Sequence, residues 1–168
     1  MQFVLSLKAW VVFISVVGYA LLYPFIFLAI LPLTSETVPV FAIGLSPAAF
    51  GYLLWIFSIL KFVSRAHEVG SKALTNLSLV SFAIILVYAV LSYCVLIEAL
   101  TDGWLISVLH LVTMVSLFFS MFYASYLIKS SELRRGVSLS ECLGEFLLIW
   151  IFPVGIWVLQ PRLNKLAR

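Results

Sequence analysis

Gly103 to Ile128 reads GWLISVLHLVTMVSLFFSMFYASYLI, 26 residues without an Asp, Glu, Lys or Arg, closed off by Asp102 before and Lys129 after. A helix needs about 20 apolar residues to cross a hydrocarbon core about 30 Å thick. With no water in that core, a run of this length is stable there as a helix that satisfies its own backbone groups. Outward from this segment the same punctuation recurs three times: 27 uncharged residues at Ala9–Ser35, 24 at Thr37–Leu60 and 25 at Ala73–Ile97. Four transmembrane helices are expected, at about 9–31, 47–63, 74–97 and 103–128, within one integral membrane domain covering 1–168. Pro24 marks an expected kink in the first. The second is expected to start late, because Pro39, Gly44 and Pro47 interrupt its run and Ser46 followed by Pro47 is a good start signal. That leaves Thr34 to Leu45 as an apolar outer loop. Glu98 to Asp102 forms a tight turn, so the third and fourth helices are antiparallel neighbours.

Composition agrees: 64% of the 168 residues are hydrophobic and 10% charged, against roughly 45–50% and about 25% in a soluble domain. Soluble enzymes, disordered chains, collagen-like chains and disulfide-framed secreted domains are excluded on that ground. The formal charge of +3 is what basic cytoplasmic loops supply by themselves, and no nucleic-acid partner is expected. Cys94 and Cys142 are expected near opposite membrane faces, too far apart for a bridge. The first apolar stretch far exceeds the usual core of a cleaved leader, and reads as an uncleaved signal anchor. Lys61, Arg65 and Lys72 lie in one pair of neighbouring loop ends and Lys129, Arg134 and Arg135 in another, whereas the two opposite connections carry only Glu36, Glu98 and Asp102. This bias puts both basic loops and both termini in the cytoplasm of a multi-pass cell-membrane protein. Trp10, Trp104, Tyr123 and Tyr126 sit where interfacial aromatic belts are expected.

A fifth apolar run, Phe146 to Pro161, has 16 uncharged residues and is interrupted by Pro153 and Gly155. It is short for a crossing, and a crossing would carry Arg162, Lys165 and Arg168 to the outside. A re-entrant or interfacial helical hairpin over about 139–161, leaving on the side where it began, accounts for length, break and charge together; a true fifth span is the remaining reading. Ser138 and Glu141 form a capping-box pattern at its start. A helix from Leu139 places Glu141 and Glu145 on one face, towards headgroups or the basic loops. Pro153 and Gly155 mark the expected break, with Gln160 and Arg162 as anchors at headgroup level.

The tail Phe152-Pro153-Val154-Gly155-Ile156-Trp157, continued by Gln160-Pro161-Arg162 and Asn164-Lys165, resembles one that recurs in small bacterial integral membrane proteins without an assigned activity. The resemblance covers about 15 residues, and implies a bacterial inner membrane without implying any chemistry.

Motifs for chemistry are sparse. His110 is the one His or acid/base side chain inside the four spans, with Ser107 and Thr113 at three residues either side; an intramembrane ionisable residue is a candidate polar site by default, and a neutral His packed against Ser or Thr is the simpler reading. No H-E-x-x-H, Cys/His cluster or C-x-x-C is present, so no metal or cofactor is expected. Ser116, Ser120 and Ala124 recur every four residues, a small-xxx-small stripe suited to close helix packing. The expected function is a non-catalytic structural, assembly or sensing subunit, packing with itself as a homo-oligomer or with another membrane protein in the lipid bilayer. A channel or carrier is the alternative, and a lipid-acting enzyme using Glu141, Glu145 and Arg162 a weaker one.

Overall fold

The computed structural model describes residues 7–31, 37–66, 70–96 and 103–166. Among these residues every regular element is helical: α1 (Ala9–Ile30), α2 (Val38–Ala66), α3 (Lys72–Leu96), α4 (Gly103–Leu133), α5 (Leu143–Trp150) and α6 (Phe152–Leu166), with a 3₁₀ turn at Ser140–Cys142 before α5. Four of them are long and apolar enough to cross a membrane, over Ala9–Ile30, Gly44–Ser64, Lys72–Leu91 and Ser107–Leu133. They run up and down, with α4 packed against α2, α3, α5 and α6. We call the end that holds Leu7, Gly70, Leu133 and both feet of the α5–α6 hairpin the basal end, and the other the distal end.

Several boundaries differ from the sequence reading. α2 starts at Val38, so most of the expected outer loop is helix and Pro47 lies inside α2 rather than at its start. Proline removes an N–H and crowds the preceding turn. α1 packs against this stretch through two tyrosines: the Tyr19 hydroxyl donates to the Gly44 carbonyl at 2.6 Å and the Tyr23 hydroxyl to the Val40 carbonyl at 3.2 Å. Glycine at 44 is required for this approach, since a Cβ there would lie 1.9 Å from the Tyr23 oxygen. α1 continues through Pro24; its irregularity falls earlier, in a π-helical stretch at Phe13–Gly18. α3 starts two residues early, at Lys72, and α4 runs five residues past the expected Ile128, carrying Lys129 and Glu132 in helix. The turn at Glu98–Asp102, the loop at Thr34–Glu36, the end of α3 at Ile97, His67 and Arg168 lie outside the described residues.

The closed core is basal and off-centre. Trp55, Ile56, Ile59 and Leu60 of α2 meet Leu127 and Ile128 of α4, Ile149 of α5 and Ile156, Leu159 and Leu163 of α6, all without solvent exposure. The small-residue stripe is used here: Ser116, Ser120 and Ala124 are all buried within the chain. Some buried serines turn back on their own helix, as Ser120 does to the Ser116 carbonyl at 2.9 Å and Ser58 to Leu54 at 2.8 Å, whereas the Ser130 and Ser131 hydroxyls are buried without a partner. Tyr123 is not part of an outer belt. It is buried, donating to the Ser71 carbonyl at 3.1 Å with Thr75 Oγ1 at 2.9 Å, whereas Trp10 and Trp104 are exposed as expected. Outside the core, α1 exposes Leu22, Phe25 and Ile30 and α3 exposes Val80, Val87 and Val90.

Candidate functional site

The hairpin gathers most of the polar chemistry of the described chain. Its start follows the capping pattern: the Ser138 backbone N–H donates to Glu141 Oε2 at 2.7 Å and the Ser138 hydroxyl to the same oxygen at 3.0 Å. Arg135 donates to the other oxygen at 2.5 Å. The Arg135 guanidinium first, then Ser138, hold the Glu141 carboxyl down at about 2. α5 then rises along α4 with Phe146 against Phe122 and Trp150 edge-on to Phe118, ring centroids 5.3 and 5.7 Å apart.

The break falls at Ile151, two residues before Pro153. Its ψ of 61° takes it out of the helix, yet its N–H still closes α5 on the Leu147 carbonyl and its own carbonyl accepts the first bonds of α6, from Val154 and Gly155. The chain bends by 118° between the two arms. Pro153 sits in the first turn of α6, where its missing N–H costs nothing. Gly155 is the point of closest approach between the arms: a Cβ there would stand 1.7 Å from the Leu148 carbonyl oxygen. Proline and glycine thus flank the bend without forming it. One starts the returning helix and the other lets it touch the outgoing one.

α6 leads back to the basal end. Phe152 packs on Tyr52 and Trp55 of α2, and the Tyr52 hydroxyl donates to the Ile149 carbonyl at 3.1 Å. Gln160, expected at headgroup level, is fully buried. It accepts the Trp55 indole N–H at 2.7 Å and donates to the Leu7 carbonyl at 3.0 Å, so one amide joins α6, α2 and the segment before α1. Burial without those partners would cost about 1–3 kcal/mol per orphaned group.

Arg162, one turn or less beyond, is an anchor as expected, but its partners are protein carboxylates. Its Nε donates to Glu132 Oε1 at 2.6 Å, a second nitrogen meets Glu132 Oε2, and the same nitrogen reaches Glu145 Oε1 at 2.7 Å. Lys129 completes the group at 3.2 Å from Glu145, whose side chain is only 6% exposed. Two cations and two anions from three helices therefore cancel within one cluster. Glu141 and Glu145 face the basic α4 end, the second of the two environments expected for them.

Beside the hairpin bend lies a half-open apolar cavity of about 430 Å³, bounded by Val16 and Val17 of α1, Ala48 of α2, Met121 of α4, and Phe152 and Pro153. The α1 residues belong to the π stretch, a distortion found often where a helix adapts to a site. Gly51 of α2 faces Val16 so closely that a Cβ would come within 2.9 Å of its methyl.

His110 is remote from the hairpin. Its Nδ1 lies 2.7 Å from the Tyr88 hydroxyl of α3, a His–Tyr link between helices, while Thr113 turns back to the Leu109 carbonyl and Ser107 is exposed. Among the described residues no three His, Cys, Asp or Glu side chains are placed to hold a metal ion. Tyr52, Trp55 and Glu132 were not singled out by sequence and Lys129 only as a basic loop residue, although an acid and a base at the end of an apolar helix, facing a second run that ends in Arg162, were a signal of pairing. Compared with known proteins, the chain matches no family model, no curated protein and no solved structure.

Proposed function

We propose that this chain is a multi-pass protein of a cell membrane, of the bacterial inner membrane as the tail resemblance implies, and that it is a non-catalytic subunit working by helix packing with a second copy or another membrane protein. Its hairpin re-enters the membrane from the basal end, which is cytoplasmic by the distribution of Lys and Arg. The observation that carries this reading is how the contacts are spent. The small residues of the α4 stripe are buried within the bundle and the paired charges are consumed in seating the hairpin on α4, while α1 leaves Leu22, Phe25 and Ile30 uncovered. A face for a partner is therefore sought on α1 and α3 rather than on the α4 stripe. The depth of the hairpin agrees with re-entry: Phe118, beside Trp150, is 15 residues from Leu133, or about 22 Å along α4 at 1.5 Å per residue.

Disulfide trapping in native membranes tests the packing reading, with Phe25→Cys on α1 and Val87→Cys on α3. A cross-linked species larger than the monomer is expected for at least one of them, and monomer alone for both would overturn it. Labelling of Lys165→Cys from the cytoplasmic side alone is expected for a re-entrant hairpin; labelling from outside would establish a fifth crossing.

The cavity beside the hairpin favours a second reading, a carrier or channel for small apolar solutes. Irregular backbone at membrane depth is tolerated where it lines a cavity. Flux in sealed vesicles would support this second reading. The carboxylates that a lipid-acting enzyme would use, Glu141 and Glu145, are engaged by Arg135, Lys129 and Arg162.

A further inference from the structure

A second apolar groove, of about 670 Å³, runs along the opposite side of α4 from Val115 past Phe118 and Phe122 to Tyr126, with Leu74 of α3 as one wall and Leu139 at its foot. Its length is eleven residues of helix, about 16 Å, and its lining is almost wholly apolar, a surface that suits extended hydrocarbon chains.

The basal foot of the groove is charged. Tyr126 ends the apolar lining seven residues, about 10 Å, before the end of α4 at Leu133. The next residue, Arg134, is exposed and forms no hydrogen bond or ion pair among the described residues; the same holds for Lys72, two residues before Leu74. Arg135 differs, since Glu141 takes its guanidinium. Arg134 also has a φ of 51°, the left-handed conformation that usually ends a helix on glycine. A glycine would be the less strained residue at this place; the chain holds an unpaired guanidinium there instead.

We propose that this groove is a binding site for an anionic phospholipid of the basal leaflet, with an acyl chain against Phe118, Phe122 and Val115 and the phosphate at Arg134, on the loop that carries Leu139 to the foot of the groove. Cationic side chains at the cytoplasmic mouth of an apolar inter-helix groove are the chemistry that holds such headgroups, and guanidinium offers a phosphate two parallel donors. Tyr126, whose hydroxyl approaches Gly136 at the loop, sits at the boundary between the apolar and charged parts. The site rests on the membrane placement proposed above.

The test is native mass spectrometry of the full chain released from bilayers holding equal amounts of phosphatidylglycerol and phosphatidylcholine with matched acyl chains. At least fivefold preferential retention of phosphatidylglycerol is expected. Arg134→Gly removes the charge and relieves the backbone, so the preference is expected to fall below twofold while the melting temperature holds or rises. Val115→Trp fills the groove from an exposed position and is expected to abolish retention of both lipids. Equal retention of the two lipids by the parent chain, or an undiminished preference in Arg134→Gly, or undiminished retention in Val115→Trp, overturns the site. A chain that stays soluble once detergent is withdrawn would instead refute the membrane placement, a separate outcome.

Discussion

The two ends of the bundle are held by different chemistry. At the basal end, charged and amide side chains from four parts of the chain converge: Leu7, Trp55, Glu132 and Glu145 all meet residues of α6, which carries Gln160 and Arg162. At the distal end the polar links described are single ring groups, Tyr19 to Gly44, Tyr23 to Val40 and Tyr88 to His110. The contrast follows from where each end finds its donors. Distal links tie a tyrosine of α1 to a backbone carbonyl of α2, or join two rings between α3 and α4. Basal links hold a separate element against the bundle. The basal end is therefore expected to be cooperative, and the distal end to give way one bond at a time.

Arg162→Ala is the sharpest way to break that contrast. It leaves Glu132 and the buried Glu145 facing each other with Lys129 as the remaining cation, and removal of one partner from a buried ion pair costs about 3–5 kcal/mol. Thermal unfolding in detergent is expected to show a loss of that size, and proteolysis to reach the hairpin first. A change below about 1 kcal/mol, the range of exposed pairs, would show that the cluster contributes no more than surface charges do. Gln160→Leu is expected to come next, at about 1–3 kcal/mol, because it orphans the Trp55 indole N–H; Trp55 fluorescence reports whether the indole stays dry. Tyr19→Phe removes one distal bond. Inter-helix hydrogen bonds in membranes average about 0.6 kcal/mol, so the expected loss is small and should leave hairpin proteolysis unchanged. The smallest effect is expected at Glu141. Its carboxyl titrates below its ordinary range, so the stabilisation it provides is complete above that range and fades as pH falls towards about 2. Glu141→Gln should remove this acid dependence of hairpin protection in hydrogen exchange.

The four long helices were legible because charge is forbidden across their length and marks their limits. Their exact ends were less so. The α2 start differs because Ser46-Pro47 carries a valid local start signal, which loses to the contacts that Tyr19 and Tyr23 of α1 make with the Gly44 and Val40 carbonyls. α4 outran its uncharged segment because Lys129 and Glu132 find partners on the hairpin, and a paired charge no longer ends a helix. The hairpin itself was legible from its shortness, its break and the charges after it, and half of its capping box forms: Glu141 accepts the Ser138 N–H, while the Glu141 N–H goes to the Ser138 backbone carbonyl. Gln160 was misplaced for a general reason. Sequence shows that an amide is polar, but not whether three elements will converge to satisfy it. The His110 neighbourhood was legible only in part, since spacing along one helix finds Ser107 and Thr113 but cannot find Tyr88 on another.

The return of α6 to Leu7 has a consequence for how the protein is made. Leu7 precedes the first helix, and Gln160 leaves the ribosome only after all the long helices have done so. The hydrogen bond from the Gln160 amide to the Leu7 carbonyl joins residues 153 apart, and it can form only after all four long helices have been made. Until the hairpin arrives Trp55 and the apolar basal faces of α2 and α4 lie uncovered, and a nascent chain interrupted before Phe152 would present them to quality-control proteases. Covering the core is thus a late step, left to the element that is synthesised after the helices it seals.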